Sequence, residues 1–257
     1  MAVIFYLSGT GNSLYVAKQV RTVWPDCRLE KIGDYLKHPY QVTDKIVGII
    51  CPVYCFALPP VMVDFVRALQ AGPDYCFGLV TMGANAGFAL KQLRGLLQKQ
   101  QITLQYAQDI AMPDNFFAVP EFMRRKLLEA AEGKLAAVRQ QLQRQQQDVS
   151  RCKDAFFWEH GGTAIGWKFM HGFLKMDALQ ADNAKCIGCG ICARICPMQN
   201  IVMQSDKPVF GANCAHCLGC LHWCPQTAIK AGRKTVTKKS RYVNPYISAE
   251  EMNEVEN

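Results

Sequence analysis

The chain has 257 residues, half of them hydrophobic, a formal net charge of +8 and thirteen cysteines. That length holds about two domains, and no run approaches the ~18–20 apolar residues of a bilayer-spanning helix, so such a helix is excluded. The basic balance points toward a polyanion partner, but no nucleic-acid recognition motif accompanies it.

Residues 2–7 are a continuous apolar run of strand length. A Gly-rich turn leads from it into 12–24, where Leu14, Val16, Ala17, Val20 and Val23 fall at helical spacing. A short, polar second strand is expected at 28–32. Further strand-like runs lie at 46–51 and 77–82, with a less regular one at 102–111. Helical stretches separate them at 60–69 and 86–98. Strands alternating with helices predict a parallel sheet covered on both faces.

Three loops follow the carboxyl ends of the first, third and fourth strands, where open α/β sheets bind ligands. The first is Ser8-Gly9-Thr10-Gly11-Asn12-Ser13, which opens a helix. Its hydroxyls and backbone amides suit a phosphate, and the helix dipole adds to them. No lysine follows the glycines, so this is not a Walker loop. The spaced three-glycine dinucleotide fingerprint and its ribose-binding acid are also missing. A monophosphate therefore fits better than a pyrophosphate or a triphosphate. The second loop is Pro52-Val53-Tyr54 and the third runs from Thr81 and Met82 through Gly83 to Gly87. Ordinary turn chemistry is the alternative reading of all three.

A first strand ending in S-G-T-G-N-S resembles the phosphate loop of flavodoxins. The resemblance covers about residues 1–150. It implies a doubly wound, five-stranded parallel sheet of order 2-1-3-4-5 and FMN held by all three loops. It also implies Tyr54 stacked on the flavin, with Gly83 and Gly87 letting backbone amides approach the ring's polar edge. The later loop lacks the second aromatic of many small flavodoxins, which leaves one ring face more open.

Residues 121–149 contain no proline and predict one long helix. Leu127, Leu128, Ala131, Leu135, Val138 and Leu142 make its apolar stripe. Before it, Met112-Pro113-Asp114-Asn115-Phe116 reads equally as a turn and as a segment resembling related flavin domains. A connector at 151–181 crowds Phe156, Phe157, Trp158, Trp167, Phe169 and Phe173 around Gly161-Gly162. A flexible linker would be polar, so this segment is expected to pack between two domains. His160 and His171 read as interface or surface residues. A helix lying on a membrane surface is the sharper alternative, given Lys168 and Lys175.

The cysteine run Cys186-x2-Cys189-x2-Cys192-x3-Cys196-Pro197 recurs as Cys214-x2-Cys217-x2-Cys220-x3-Cys224-Pro225. This is the bacterial-type ferredoxin pattern, and twice over it implies two 4Fe–4S clusters. Each run supplies three thiolates to one cluster and its last cysteine to the other. The first cluster then takes Cys186, Cys189, Cys192 and Cys224; the second takes Cys214, Cys217, Cys220 and Cys196. Gly188, Gly190 and Gly219 are small positions where backbone passes close to an inorganic core. Zinc knuckles do not explain the third cysteine or the trailing Cys-Pro. Disulfides need an oxidising compartment, and no signal peptide precedes the first strand. Cys27, Cys51, Cys55, Cys76 and Cys152 are expected as free, mostly buried thiols.

The expected units are thus 1–150, 151–181, 182–232 and a solvated tail at 233–257, basic at Arg233, Lys234, Lys238, Lys239 and Arg241 and then acidic. Together they resemble the flavodoxin–ferredoxin fusion proteins of anaerobic bacteria. That resemblance implies a cytoplasmic carrier passing electrons between FMN and two 4Fe–4S clusters and on to a redox partner, an acidic one if the tail docks it. Two other readings stay open. One is a flavin-dependent oxidoreductase of a quinone or nitro compound, fed by the clusters. The other is a redox-responsive binding protein. Two oxidised clusters with their thiolates carry about −4 and an FMN phosphate about −2, so the loaded chain is close to neutral.

Overall fold

The computed structural model describes residues 1–154 and 157–253. In the first half β1 (Ala2–Tyr6), α1 (Asn12–Arg21), β2 (Cys27–Lys31) and α2 (Ile32–Lys37) are followed by β3 (Gln41–Val42) and β4 (Ile46–Pro52). Then come α3 (Pro60–Ala68), β5 (Gln70–Ala71), β6 (Tyr75–Met82), α4 (Ala89–Lys99), β7 (Tyr106–Ala111) and α5 (Glu121–Gln143). The main sheet has the order β2-β1-β4-β6-β7 with every pair parallel. Its five strands, counted along the chain, therefore run 2-1-3-4-5, the flavodoxin-like doubly wound order. The two-residue strands β3 and β5 pair apart from it.

Side-chain alternation builds two cores from one strand. On β1, Ala2, Ile4 and Tyr6 join Leu14, Val16, Val20 and the buried stripe of α5. Val3 and Phe5 face the other way, against Tyr35, Met62, Phe65, Leu90 and Leu93. Both faces of a parallel strand must be apolar for this arrangement, and all five β1 residues are buried. The short second strand forms at 27–31, in register from Ala2 opposite Cys27.

Two elements are shorter than their patterns suggest. The apolar alternation Ile102, Leu104, Tyr106 reads as one strand, yet backbone pairing starts only at Tyr106. Gln101 takes a left-handed φ of 60° to close α4. The Gln105 side chain then accepts a hydrogen bond from the Cys76 amide. The long helix stops at Gln143 because Gln145 is left-handed at φ 46°. The chain then turns back so that Asp148 bridges to Tyr106 at the sheet edge.

In the second half α6 (Phe157–Lys168) continues into a π-turn at Phe169–Phe173. The glycine pair 161–162 does not interrupt that helix. Phe156 and the side chains of Phe157, Trp158 and His160 lie outside the described residues. The strand pair β8 (Leu179–Ala181) and β11 (Ile229–Ala231) encloses α7 (Ile191–Arg194), the hairpin β9 (Ile201–Gln204) and β10 (Lys207–Phe210), and α8 (Gly219–Trp223).

The segment beyond residue 233 is not solvated along its length. Tyr242, Asn244, Ile247 and Met252 are buried, and α9 (Ala249–Asn253) closes the described chain. The apolar residues among the charges drive this return: Ile247 and Met252 enter the core beside Leu14 and Tyr15. Tyr242 OH donates to Asn12 Oδ1 at 2.7 Å, and the Asn244 amide donates to Thr10 O at 2.8 Å. Lys18 pairs with Glu251 at 2.5 Å. Lys238 and Lys239 remain exposed. Among the described residues no helix is long and apolar enough to cross a membrane.

Candidate functional site

The carboxyl ends of β1, β4, β6 and β7 open onto one cavity of about 400 Å³. Ser8, Gly9, Thr10, Asn12 and Ser13 line it from the first loop, Pro52, Val53 and Tyr54 from the second, and Thr81, Met82 and Gly83 from the third. The loops are stitched together. Ser13 and Thr81 hydroxyls meet at 2.9 Å, the Val53 amide donates to Thr81 O at 2.9 Å, and Asn12 Nδ2 donates to Pro113 O at 3.0 Å. Ser8 Oγ is buried with no hydrogen-bond partner among the described residues, a polar atom whose burial calls for an acceptor or donor. Among the described residues neither lysine nor arginine lines the cavity. Its polar wall is hydroxyl and amide, the chemistry that suits a monophosphate at a helix N-terminus.

Two residues expected at the site stand outside the lining. Gly11, at φ 94°, forms the N-cap of α1 with its open side against Asn244 and Ile247. Gly87, at φ 53°, is packed against the Phe56 carbonyl, where a Cβ would come within 2.3 Å. Both glycines satisfy the fold around the cavity. Asn12 lines it, but its side chain is engaged by Pro113, Tyr242 and Asn244.

Tyr54 is set by a tight hairpin. It exchanges backbone hydrogen bonds with Ala57 across Cys55 and Phe56, both left-handed at φ 47° and 66°. Two positive-φ residues in a two-residue turn are the type I′ arrangement, which normally takes Asn-Gly. Burial, followed by the nearby Cys217 and Cys214 thiols, pushes the Tyr54 hydroxyl well above its ordinary range. Tyr54 therefore stays neutral and lies close to the second cysteine run.

The connector supplies a wall that the sequence reading did not assign. Gly162 and Gly166, one helical turn apart, face the hairpin: Cβ positions there fall 3.2 Å from the Phe56 ring and 2.8 Å from Cys55 Sγ. Thr163 donates to Cys55 O at 2.5 Å. Phe169 and Met170 of the π-turn, with Met176, complete that side. On the β7 side Asp114 caps its own turn, accepting from the Phe116 and Phe117 amides, and fills the space beside Gly83. The segment 112–116, which read two ways, turns at Asp114 and also lines the cavity, which fits both readings.

The eight cysteines of the repeated run separate into two groups. One small cavity is lined by Cys186, Cys189, Cys192 and Cys224, and another by Cys196, Cys214, Cys217 and Cys220. Burial pushes Cys192 up to about 11, helped by Cys189, Cys224 and Cys186. Burial also raises Cys217, with further contributions from Cys196 and Cys214. Four thiols converging in a desolvated place suit a cationic core that draws off their protons. The two runs repeat one hydrogen bond: the amides of Asn200 and Ala228 each donate at 3.3 Å to the sulfur four residues earlier, Cys196 and Cys224. Cys27, Cys51 and Cys76 are buried apart from both groups, and burial raises Cys51 and Cys76 to about 12.

The first loop and the second cysteine run touch. A Cβ on Gly9 would sit 2.4 Å from Cys217 O, and one on Gly219 would sit 2.8 Å from Gly9 O. Trp223 Nε1 donates to Gly9 O at 3.0 Å, and Asn115 Nδ2 donates to Cys217 O at 3.2 Å. The Cys196–Cys220 group therefore shares a wall with the cavity. The other group lies farther out, where Cys189 is exposed.

Residues 185–229 match the family model described as a 4Fe-4S dicluster domain. No curated protein matches the chain. Among solved structures, a rubredoxin oxygen:oxidoreductase from the anaerobe Desulfovibrio gigas is 13% identical, with 55% of this chain and 36% of that one covered and a TM-score of 0.35. This chain thus spans about a third of that enzyme. The two-electron reduced flavodoxin of Megasphaera elsdenii is 20% identical, with 52% and 99% covered and a TM-score of 0.34. Scores of this size carry no argument; the strand order and the cysteine geometry do. On those grounds the chain joins a flavodoxin-like sheet to a 4Fe-4S dicluster domain, the plan of a flavodoxin–ferredoxin fusion.

Proposed function

We propose that the chain is an electron carrier holding FMN in the sheet-edge cavity and a 4Fe–4S cluster in each cysteine group, and passing electrons on to a partner protein. The observation that carries this reading is the contact between Gly9 and Cys217, which leaves a single layer of backbone between the cavity and the nearer cysteine group. Ser8, Thr10 and Ser13, with the backbone of 9–13, would hold the phosphate. Tyr54 and the third loop would flank the ring. Cys214, Cys217, Cys220 and Cys196 would hold the nearer cluster; Cys186, Cys189, Cys192 and Cys224 would hold the outer one. When bound, a flavin exchanges electrons singly or in pairs, whereas each cluster passes one. The protein's part is placement and shielding: the glycine face of α6 closes over the cavity, and amides donating to cysteine sulfur tune the clusters.

The outer group offers the exit. Around exposed Cys189 lie Ile187, 64% exposed, and Lys185, with Arg194 donating to Cys189 O and Lys207 donating to Cys186 O. An apolar spot with Arg194 and Lys207 beside it, and with Lys185 already paired to Asp182, fits an acidic redox protein. A reducing, cytoplasmic setting belongs to the same reading. Protein purified without oxygen should contain about eight iron, about eight sulfide and one FMN per chain. Colourless protein carrying zinc and no flavin would end the proposal.

A further inference from the structure

One cluster of chemically able side chains has no role assigned in that electron path, although His216 also lines the cavity and its amide donates to Cys214 Sγ. His171 lies in the π-turn, Asp177 six residues beyond it, and His216 between Cys214 and Cys217. One donor atom from each residue lies within 4.8 Å of the other two. Both oxygens of Asp177 stand 2.9 Å from His171 Nδ1, and one of them is 3.4 Å from His216 Nε2. The rings are held in place: His171 stacks on Trp167 at 4.8 Å and meets His216 edge-on at 4.7 Å.

We propose that His171, Asp177 and His216 form a binding site for a divalent ion of the zinc class. Tetrahedral bonds of about 2.0–2.1 Å set neighbouring donors ~3.3 Å apart; the two separations through Asp177 lie on either side of that value, and the two imidazole nitrogens, within 4.8 Å, would close toward it on binding. Two imidazoles and one carboxylate are a donor set zinc accepts, with a fourth position left to water or substrate. Calcium and magnesium demand more oxygen than this set provides. Asp177 is 61% exposed, so an ion has a route in from solvent. The outer nitrogens, His171 Nε2 and His216 Nδ1, have no hydrogen-bond partner among the described residues. With an ion bound, each imidazole would present its Asp-facing lone pair and carry its proton on that outer nitrogen. An ion here would fasten the connector to the loop that carries Cys214 and Cys217, and so hold the roof of the cavity to its floor. The proposal is independent of the electron path: it requires only these three side chains.

The test uses full-length protein prepared without oxygen, with iron and flavin counted first. Zinc alone is then titrated against a chromophoric chelator, and the zinc environment is read by X-ray absorption. The expected result is one zinc per chain, unchanged iron, and nitrogen and oxygen neighbours at about 2.0–2.1 Å. His171→Ala and Asp177→Asn should each weaken zinc by at least the ~100-fold that even outer-shell losses reach, with iron and flavin intact. Asp177→Asn keeps shape at an exposed position, so it separates loss of a ligand from loss of folding. Sulfur neighbours at about 2.3 Å would place zinc in the cysteine groups and overturn the site. So would uptake that survives both variants, or no uptake, in which case Asp177 merely accepts hydrogen bonds from two imidazoles. Zinc in the cysteine groups would show as lost iron, whereas the other outcomes leave the iron and flavin counts unchanged, so failure of this site and failure of the carrier reading are distinguishable.

Discussion

Gly9 and Gly11 are two residues apart and fail for different reasons when given a side chain. At Gly9 the obstacle is the Cys217 carbonyl at 2.4 Å, backbone that cannot swing aside, so Gly9→Ala must part the first loop from the cysteine loop. Overpacking of this kind costs about 1–3 kcal/mol. At Gly11 the obstacle is the left-handed φ of 94°, which costs an alanine about 1–2 kcal/mol. Both variants should melt earlier. Only Gly9→Ala should also release FMN and perturb the inner cluster, read by flavin retention and iron spectroscopy on the same preparation. Equal flavin loss from the two would mean that the Gly9–Cys217 contact has no special role. The sequence makes one part of this site plain: thiol spacing is local, so the eight cysteines declare themselves. The roles of Gly11 and Gly87 are hidden, because what each faces, Asn244 and Phe56, arrives from elsewhere in the chain.

At the scale of elements, the main-sheet strands and the long helix follow from apolar period, whereas the tail and connector do not. Tyr242, Ile247 and Met252 are scattered among charges and carry no period, yet all three are buried, Ile247 and Met252 in the core beside Leu14 and Tyr15. Gly162 and Gly166 of the α6 roof allow close approach to the Tyr54 hairpin, a partner that lies far away in the chain and leaves no periodic signal. Truncation after Arg241 removes those three buried side chains at about 2 kcal/mol each. It also removes the hydrogen bonds from Tyr242 and Asn244 to the first loop. The truncated protein should unfold several kcal/mol more easily in urea and bind FMN more weakly. A solvated tail would leave both unchanged. Gly166→Leu tests the roof in the same way: a side chain toward Cys55 should lift α6 and speed flavin dissociation, while the iron content stays as it was. Slower or unaltered dissociation would show that α6 does not close the cavity.

For the molecule as a whole, the two halves differ in what keeps them folded. The sheet has two apolar cores of its own, one on each face. The C-terminal unit has three-residue and four-residue strands, helices of four and five residues, and a small core in which Cys192, Cys220, Cys196 and Cys224 are themselves members. So little apolar area cannot offset the entropy of ordering that segment, and folding there must be coupled to its metal. Cys189→Ser should therefore do more than remove the outer cluster. Cys192 and Cys220 are close enough to influence one another, so disorder around the first group should loosen the second. Because Trp223, Gly219 and Cys217 brace the first loop, flavin affinity should fall as well, although Cys189 is nowhere near the cavity lining. Amide hydrogen exchange on the variant should show protection lost throughout 182–232 and at 8–13, with β4 and β6 unaffected. Two full clusters in Cys189→Ser, or lost protection confined to residues 186–192, would mean that the two groups and the loop do not form one cooperative unit.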